Sequence, residues 1–420
     1  MTAAFIVLGC NVNKTDSNAI SSHFIKNGIS TIRDAKSADI VVINSCIVTE
    51  ESARKSRQAL RRVRRENPAA VIVLAGCMPR VDFDEQKFSQ ADIVVKNNDF
   101  CEISSRIFEF MGKKNIVKTA CESSMVAGKN RTRAYIKIQD GCNNFCAYCI
   151  IPHARGVSRS RPLNEIIEEA KSLAVMGFRD ITLVGINLAC YGLDLGDVGL
   201  IDAVLSVADL GFARVRLGSL EPDKISEKLI EDLAKISNFC PHFHISLQSG
   251  CDSTLKRMNR RYLTADYAKI CLKIREEFEN PAITTDVMVG FPGETDEEFS
   301  ESLEFVKQIA LSSAHIFSYS KRPSTKAYDM KNQIDENVKI MRNKAMREIS
   351  YNSQSIYLKS FLGKRENVLI ENCKGDNLYI GLNERGVQIK LKSDEKIERG
   401  EIIAVQVIGI EKDYLIGEIC

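Results

Sequence analysis

Three cysteines stand within eight residues in the stretch Cys142-Asn143-Asn144-Phe145-Cys146-Ala147-Tyr148-Cys149. The stretch follows a predicted strand, Tyr135–Gln139, and the turn Asp140-Gly141, which predicts that it lies in a loop. Thiolates are soft ligands that suit iron–sulfur clusters, and three of them cover three irons of a four-iron cube. The spacing therefore predicts a [4Fe–4S] cluster with one iron open to a small molecule.

The alternative for this stretch is a zinc site made of the same cysteines and a histidine such as His153. Zinc sites usually use paired Cys-x2-Cys units, whereas this triple is asymmetric. The cluster is therefore the favoured interpretation.

The chain around this loop repeats a strand followed by a helix. The predicted strands are Tyr135–Gln139, Ile181–Val184, Val215–Gly218, His244–Leu247, Thr284–Val289 and His315–Phe317. Six such units predict a partial (β/α)6 barrel over residues 128–357. Active sites of such barrels lie at the carboxyl ends of the strands, where the cysteine loop is expected.

Two helix starts in this segment have recognisable signals. Ser160 and Pro162 predict a cap and a first turn for Leu163–Met176, and Thr295–Glu298 has the pattern of a capping box.

The preceding segment, residues 1–115, alternates short β-branched runs with helical stretches. The predicted strands are Ala4–Leu8, Ile40–Asn44 and Val71–Ala75, and the predicted helices include Lys14–Asn27 and Glu51–Arg65. This alternation predicts a doubly wound, parallel α/β domain.

Each of these three strands runs into a cysteine, namely Cys10, Cys46 and Cys77. Parallel strands end at one edge of the sheet, where ligands of such sheets bind. The three thiols are therefore candidates for a second metal centre. The alternative is that they are buried core thiols, as cysteines often are.

The last segment, residues 360–420, loses its helical signals. Five short runs predict strands, at Val368–Glu371, Leu378–Gly381, Val387–Leu391, Ile402–Ile408 and Tyr414–Glu418. They fit a small β-barrel of a kind that often binds oligonucleotides. Ten Lys and Arg against eleven Asp and Glu in residues 358–420 argue against a strong grip on phosphates.

Composition narrows the class of protein. The net charge of +3 does not by itself indicate nucleic-acid binding, and the chain is too long and apolar for a disulfide scaffold despite its 14 cysteines. No apolar run is long enough for a transmembrane helix, so no membrane partner and a cytoplasmic location are expected.

The Cys-x3-Cys-x2-Cys triple, with Tyr148 before its last cysteine, resembles the signature of radical S-adenosylmethionine enzymes. Together with Leu8-Gly9-Cys10-Asn11-Val12-Asn13, Leu247-Gln248-Ser249-Gly250 and Gly290-Phe291-Pro292-Gly293-Glu294-Thr295, it resembles the methylthiotransferases over essentially the whole chain. The resemblance implies three parts in order: a domain with an auxiliary [4Fe–4S] cluster, the radical barrel, and a small β-barrel called TRAM.

By this resemblance, Cys142, Cys146 and Cys149 are the catalytic ligands of the first [4Fe–4S] cluster. The open iron of that cluster binds S-adenosylmethionine, which one electron splits into methionine and a 5′-deoxyadenosyl radical. Cys10, Cys46 and Cys77 would bind a second [4Fe–4S] cluster, whose accessible iron holds the sulfur to be inserted. The enzyme also requires an electron donor and a sulfur source.

Three branches of this family compete. They modify threonylcarbamoyladenosine at position 37 of tRNA, isopentenyladenosine at the same position, or an aspartate of ribosomal protein uS12. The stretches Gly141–Gly156 and Phe317-Ser318-Tyr319-Ser320-Lys321-Arg322 most resemble the first branch, which replaces C2–H of the base with S–CH3. Lys14–Ser17 and Lys326 depart from the usual pattern. A non-catalytic iron–sulfur RNA-binding or sensing protein is the alternative outside enzymes.

Polar residues near the predicted strand ends are candidates for binding S-adenosylmethionine. Besides Tyr148, they are Asn187, Ser219, Glu221, Gln248 and Asp286. Each has a local structural role as its alternative. Arg216 and Arg322 are candidates for bidentate contacts with carboxylates or phosphates.

Two basic stretches are candidates for contacts with tRNA. The first, on the predicted helix after Cys46, has only Glu66 as a nearby acid and contains Arg54, Lys55, Arg57, Arg61, Arg62, Arg64 and Arg65. The second contains Arg155, Arg159 and Arg161. A solvated helix face is the alternative. Tryptophan is absent, which argues against extensive stacking on unpaired bases.

Overall fold

A computed structural model describes residues 1–81, 85–96, 100–110, 112, 132–375 and 377–420. Two compact units emerge. The first holds the described residues up to 112, with Asp140–Arg159 and Ser320–Tyr328. The second holds the described residues from Thr132 to Gln139, with Ser160–Tyr319 and Asp329–Cys420. The proposed boundaries at residues 115 and 128 lie outside the described residues, so the domain limits stay predictions.

The first unit is built on a five-stranded parallel sheet of order β2-β1-β3-β4-β5. Its strands are β1 (Thr2–Val7), β2 (Ser30–Thr31), β3 (Ile40–Ser45), β4 (Val71–Gly76) and β5 (Ile93–Val94). Its helices are α1 (Asn11–Lys26), α2 (Glu50–Glu66), α3 (Met78–Val81), α4 (Phe100–Phe110) and α5 (Ile151–Arg155), with a 3-10 turn at Glu85–Phe88.

Both faces of this sheet are buried, which makes the domain doubly wound as predicted. Along β3, Ile40 and Val42 pack with the side chains of α1 and α4, whereas Val41 and Ile43 pack with those of α2. The alternation follows because successive strand residues point to opposite faces. Ile150 beside α5 also joins the core on the α2 face.

After residue 132 the strands run to β19. They are β6 (Arg133–Lys137), β7 (Gln139–Asp140), β8 (Arg159–Ser160), β9 (Asp180–Val184), β10 (Arg214–Leu217), β11 (Ser219–Leu220), β12 (His242–Ile245), β13 (Ala282–Val289), β14 (Ser313–Ser318), β15 (Arg365–Lys374), β16 (Leu378–Leu382), β17 (Gln388–Lys392), β18 (Ile402–Glu411) and β19 (Tyr414–Ile419). The helices are α6 (Leu163–Val175), α7 (Leu200–Ala208), α8 (Glu227–Ala234), α9 (Asp252–Arg257), α10 (Thr264–Glu277), α11 (Asp296–Gln308) and α12 (Glu336–Lys359), with 3-10 turns at Leu188–Cys190, Pro222–Lys224 and Lys326–Tyr328.

The second unit contains the predicted partial barrel. Strands β6, β9 and β10 pair in parallel, as do β11, β12, β13 and β14, so spatial order follows chain order. Among the described strands no pairing joins β14 to β6, so the barrel is open. Strand β12 ends at Ile245, two residues earlier than predicted, and beyond it Gln248, with a φ of 68°, makes only an isolated parallel bridge to Val287 of β13.

Helix caps in the second unit agree with the sequence in one case and differ in the other. Thr295 and Glu298 form the predicted capping box, with reciprocal hydrogen bonds of 3.2 and 3.1 Å. The helix α6 begins at Leu163 as predicted, but the predicted cap was wrong. Pro162 itself is the cap residue, and the Ser160 hydroxyl accepts a hydrogen bond from the Gly192 backbone amide instead.

The last five strands close into a barrel of order β15-β16-β17-β19-β18, which confirms the predicted C-terminal β-barrel. Arg214 of β10 donates hydrogen bonds to the carbonyls of Leu382 and Asn367, so this barrel is anchored to the partial barrel within the same unit. No helix among the described residues combines the length and apolarity required to cross a membrane.

Candidate cluster sites

The thiols of Cys10, Cys46 and Cys77 follow the carboxyl ends of β1, β3 and β4, at one edge of the sheet of the first unit. Cys10 is exposed, whereas Cys46 and Cys77 are buried. Burial raises the pKa of the Cys77 thiol to about 11; Arg155 lowers it, and the charges of Cys10 and Cys46 raise it further. The three thiols are therefore near enough to influence one another electrostatically.

Side chains between the strand ends hold the backbone around these thiols. The Asn13 amide donates to the carbonyls of Leu8 and Ser45 at 2.8 and 3.0 Å. The Ser56 hydroxyl accepts from the Cys46 amide and donates to the Cys46 carbonyl, at 3.2 and 3.1 Å. These hydrogen bonds hold the backbone on either side of Cys46 and the backbone two residues before Cys10.

Gly9 leaves room beside the Cys46 thiol. Its φ is +96°, and a Cβ at this position would lie 2.9 Å from the Cys46 Sγ and 3.2 Å from the Asn13 amide nitrogen. Any side chain here would displace the Cys46 thiol or strain the backbone. The requirement for glycine is therefore tied to the position of Cys46.

The second set of thiols lies in the loop between β7 and α5. Cys146 is buried, and Cys142 and Cys149 are partly exposed. The Cys149 amide donates to the Cys146 carbonyl at 2.9 Å. The loop turns through left-handed conformations at Gly141, with φ of 73°, and Phe145, with φ of 47°. A Cβ on Gly141 would overlap the Val157 carbonyl.

Arg155, directly after this loop, is the centre of a buried polar network in the first unit. Its guanidinium donates to both carboxylate oxygens of Asp140 at 3.0 and 3.2 Å, to the Asp16 carboxylate at 3.1 Å and to the side-chain Oδ1 of Asn13 at 2.5 Å. Burial disfavours its charge, but Asp16, Cys77 and Asp140 stabilise it, so the Arg155 pKa lies well above its usual value.

This network connects the surroundings of both cysteine sets. Asp140 precedes Gly141-Cys142 in the loop, and Asn13 and Asp16 lie in the helix that begins after Cys10. The interpretation of Arg155 as part of a basic stretch facing a substrate was wrong, because its side chain is 1% exposed. The only sequence signal for the network was the helical spacing of Asn13 and Asp16.

The donor chemistry at both sites fits iron–sulfur clusters better than single metal ions. Among the described residues, no group of three His, Cys, Asp or Glu side chains is arranged to hold one ion. A cluster places each thiolate on a different iron, so its ligands need not converge on one atom. The zinc alternative gains no support, since the His153 ring instead packs edge-on against Phe145 at 6.1 Å between centroids.

The candidates for binding S-adenosylmethionine fall into two groups in the second unit. Asn187 and Gln248 are buried in loops beyond β9 and β12, and Gln248 Oε1 has no hydrogen-bond partner. Glu221 is paired with Arg260. Asp286 lies in the middle of β13, not at its end, and contacts His244 at 3.3 Å.

Two further candidates differ in exposure. Ser219 is exposed in β11, and Tyr148, in the first unit, is half-buried.

Acidic residues at the start of α2 partly neutralise its basic side chains. Glu51 pairs with Arg54 at 2.7 Å and with Lys55 at 3.6 Å, and Glu50 pairs with Arg57 at 2.5 Å. The interpretation of Glu66 as the only nearby acid was therefore wrong. Arg61, Arg62 and Arg65 are exposed.

Three arginines have mainly structural partners. Arg64 holds Asp92 and the carbonyls of Gln90, Pro68 and Ala70. Arg161 binds Glu169 at 2.5 Å and also pairs with Glu165. Arg216 binds Asp180 and the carbonyls of Asn383 and Glu384, so it braces the C-terminal barrel and not a ligand. By contrast, Arg159 has a side chain that is 52% exposed.

The remaining described cysteines have no disulfide partner. Cys190, Cys240, Cys251 and Cys271 are buried, and Cys373 and Cys420 are exposed. Cys121 and the side chain of Cys101 lie outside the described residues. The four buried thiols agree with the expectation of ordinary core residues.

Family models match two parts of the chain. A model described as the radical SAM superfamily matches residues 136–306. A model described as the uncharacterized protein family UPF0004 matches residues 2–96.

Two curated relatives are similar over most of the chain. "Threonylcarbamoyladenosine tRNA methylthiotransferase MtaB" of Bacillus subtilis (strain 168) is 36% identical, over 99% of this chain and 96% of the relative. "tRNA-2-methylthio-N(6)-dimethylallyladenosine synthase" of Clostridium tetani (strain Massachusetts / E88) is also 36% identical, over 86% of this chain and 84% of the relative.

Among solved structures, the radical S-adenosylmethionine methyltransferase TsrM from Kitasatospora setae is similar in fold. The TM-score is 0.59 at 13% identity, and the match covers 78% of this chain and 75% of that one.

Proposed function

The chain belongs to the radical S-adenosylmethionine tRNA methylthiotransferases, and we propose that it converts C2–H of N6-threonylcarbamoyladenosine at position 37 of tRNA into C2–S–CH3. The observation that carries this proposal is the occurrence of two cysteine triples in one compact unit, joined by the buried network of Arg155. One triple would suffice for a generic radical enzyme. A second is required if sulfur is to be delivered from a separate centre.

We assign Cys142, Cys146 and Cys149 to the [4Fe–4S] cluster that binds S-adenosylmethionine, and Cys10, Cys46 and Cys77 to a second [4Fe–4S] cluster. When bound, the first cluster and S-adenosylmethionine supply the electron, the radical and the methyl group that the reaction needs. The residues of the chain fix where this chemistry happens. Cys146, buried between two partly exposed cysteines, anchors the loop.

Arg155 acts as a positioning residue in this proposal. Its bonds to Asp140 and Asp16 tie the loop triple to the helix that begins after Cys10. A buried arginine bound by two carboxylates has little freedom to move, because breaking either pair loses an attraction between buried charges.

Asn187 and Gln248 are the stronger candidates for polar contacts with S-adenosylmethionine. Both are buried and lie in loops beyond strand ends, where barrel ligands bind. Glu221 and Asp286 are weaker candidates, because Arg260 and His244 already engage their carboxylates.

For tRNA, the exposed side chains of Arg61, Arg62 and Arg65 on α2 and of Arg159 are the preferred contacts. Their charges suit a phosphate backbone. Arg54 and Lys55 would contribute less, since Glu51 shares their charge, and Arg57 is available to tRNA only where Glu50 gives up its contact. Arg161 is the weakest candidate, because Glu165 and Glu169 hold it.

The threonylcarbamoyl substrate is favoured over the dimethylallyl one by the extent of the similarity. The Bacillus subtilis relative is 36% identical over 99% of this chain, whereas the Clostridium tetani relative reaches 36% over only 86% of it and a dimethylallyl-named relative from Finegoldia magna that covers 99% is 32% identical. The electron donor, the sulfur source and the cytoplasmic location stay predictions.

Nucleoside mass spectrometry of tRNA tests the substrate. A strain that lacks this protein should lose 2-methylthio-N6-threonylcarbamoyladenosine, and the intact gene should restore it. A gene encoding Cys146→Ala is the matched control and should not restore it. Loss of the dimethylallyl product or of the uS12 modification would assign the protein to another branch. Normal levels of all three products, in a strain with no second such enzyme, would favour a non-catalytic RNA-binding or sensing role.

A further inference from the structure

A cavity of about 670 Å³ lies in the first unit, against the inner side of α2. Its size falls in the range of sites for small molecules. Ile47, next to Cys46, and Ile150, next to Cys149, both line it. The wall of the cavity therefore includes direct neighbours of both cysteine triples.

The lining of this cavity is strongly cationic. Among the described lining residues, Arg57, Arg61, Lys87 and Arg322 contribute four positive charges and Glu50 contributes one negative charge. Ala53, Val81 and Pro323, with the two isoleucines, supply an apolar surface between them. A ligand that suits this lining carries a small negative group on a partly apolar body.

Arg322 is the most unusual of the four cations because its charge is buried. The residue is 3% exposed, and its Nε has no hydrogen-bond partner among the described residues. Its terminal nitrogens reach the Glu50 carboxylate and, at 3.5 Å, the Ile47 carbonyl. A buried guanidinium with an unsatisfied donor is costly unless something else at the site compensates.

The Glu50 carboxylate shows which kind of chemical group Arg57 and Arg322 bind. Its carboxylate is bound by Arg57 at 2.5 Å and by Arg322, although its own side chain is 62% exposed. An exposed carboxylate can turn away into solvent, whereas the buried Arg322 cannot. Arg57 and Arg322 therefore suit a carboxylate-like group, and another oxyanion can replace the Glu50 carboxylate between them.

We propose that this cavity binds an oxyanion of the tRNA substrate, either the carboxylate of the threonylcarbamoyl group or a backbone phosphate close to the modified base. The inference rests on the proposed function, because it takes tRNA as the substrate. Arg322 and Arg57 would bind the oxyanion, and the apolar wall would contact the neighbouring part of the nucleotide. None of the described lining residues is aromatic, so the contacts proposed here are ionic and apolar.

Binding of anticodon stem-loop RNAs to the anaerobically reconstituted protein tests this proposal. Three RNAs should be compared, with threonylcarbamoyladenosine, dimethylallyladenosine or unmodified adenosine at position 37. If the carboxylate is the ligand, Arg322→Gln should weaken binding of the first RNA by about tenfold or more and leave the other two unchanged. If a phosphate is the ligand, all three should weaken alike. Both results support the oxyanion site.

Lys36→Gln is the matched control for the loss of one positive charge. Lys36 belongs to the same unit, is 67% exposed and does not line the cavity. Equal affinities of Arg322→Gln and Lys36→Gln for all three RNAs would overturn the proposal. Tight binding of unmodified RNA that still requires Arg322 would keep the cavity assignment even if the threonylcarbamoyl substrate proved incorrect.

The Glu50→Gln variant tests the proposal even if Arg322→Gln fails to fold. This change removes the competing negative charge while a side chain of the same shape remains. It should tighten binding of the RNA that supplies the oxyanion, whereas a purely structural cavity predicts no change or a loss. Arg57→Gln, whose side chain is less buried, should weaken binding in the same pattern as Arg322→Gln.

Discussion

The two cysteine triples differ in how the chain brings them together. Cys142, Cys146 and Cys149 lie in one loop, which turns at Gly141 and Phe145 and is held by short-range backbone hydrogen bonds. Cys10, Cys46 and Cys77 come from three separate strand ends and require the whole sheet to be folded. The first triple thus depends on local conformation, and the second on tertiary structure.

Arg155 makes the two triples dependent on each other. It binds Asp140 next to the loop triple and Asp16 on the helix that follows Cys10. Loss of Arg155 is therefore expected to affect both regions. Substitutions in each triple and at Arg155 distinguish the role of each triple from the structural support that both receive.

Loss of the loop triple has the largest expected effect. Cys146→Ala should abolish both the cleavage of S-adenosylmethionine to 5′-deoxyadenosine and the formation of the methylthio product, because the radical is generated there. Chromatography of both products after chemical reduction measures this. Cys373→Ala, which removes an exposed cysteine of the C-terminal barrel, should retain both activities.

Loss of the triple formed by Cys10, Cys46 and Cys77 should separate cleavage of S-adenosylmethionine from formation of the methylthio product. Cys46→Ala should abolish the methylthio product and leave 5′-deoxyadenosine formation close to that of the unchanged protein, since the loop triple is intact. The same two products are quantified. A folded Cys46→Ala variant that no longer cleaves S-adenosylmethionine would contradict the division of roles.

Loss of the shared arginine should destabilise the first unit. Arg155→Gln removes the buried cation bound by Asp16 and Asp140, with Arg159 remaining 3.9 Å from Asp140, and should lower the free energy of unfolding by about 3 kcal/mol or more. Denaturant unfolding of the protein without clusters measures it. Arg159→Gln removes a half-exposed arginine nearby and should change stability by only about 0.5 kcal/mol. Equal effects of the two changes would refute the role of the network.

Substitution of the glycines should have smaller and local effects. Gly9→Ala crowds the Cys46 thiol, and Gly141→Ala crowds the Val157 carbonyl, each with backbone strain of about 1–3 kcal/mol. Gly9→Ala combined with Cys146→Ala should speed the loss of iron to a chelator, and so should Gly141→Ala combined with Cys46→Ala. When Gly9→Ala is instead combined with Cys46→Ala, or Gly141→Ala with Cys146→Ala, iron loss should stay near that of the single cysteine variants. Faster loss in every combination would show that the glycines do not act locally.

The sequence was sufficient for the features that depend on short spacing or on strand ends. The loop motif is contiguous, and Cys10, Cys46 and Cys77 each follow a strand of the parallel sheet, which confirms their predicted place at one sheet edge. The order and class of the three parts were also predicted. Domain limits and ligand roles stay predictions.

The sequence did not predict which residues the buried arginines bind. Arg155 was interpreted as part of a basic stretch, because nothing local indicates that Asp16 and Asp140 surround it. Arg216 was considered for ligands, although it braces the C-terminal barrel. In both cases, long-range packing decides whether an arginine is buried or faces solvent, and a charge pattern does not record that packing.

Iron counting on the anaerobically reconstituted chain tests the central claim most directly. If each triple binds a four-iron cluster, the unchanged protein should contain about eight irons, and Cys46→Ala and Cys146→Ala should each contain about four. Cys373→Ala should match the unchanged protein. About four irons in the unchanged protein, with no further loss in Cys46→Ala, would contradict the assignment of Cys10, Cys46 and Cys77 to a second cluster.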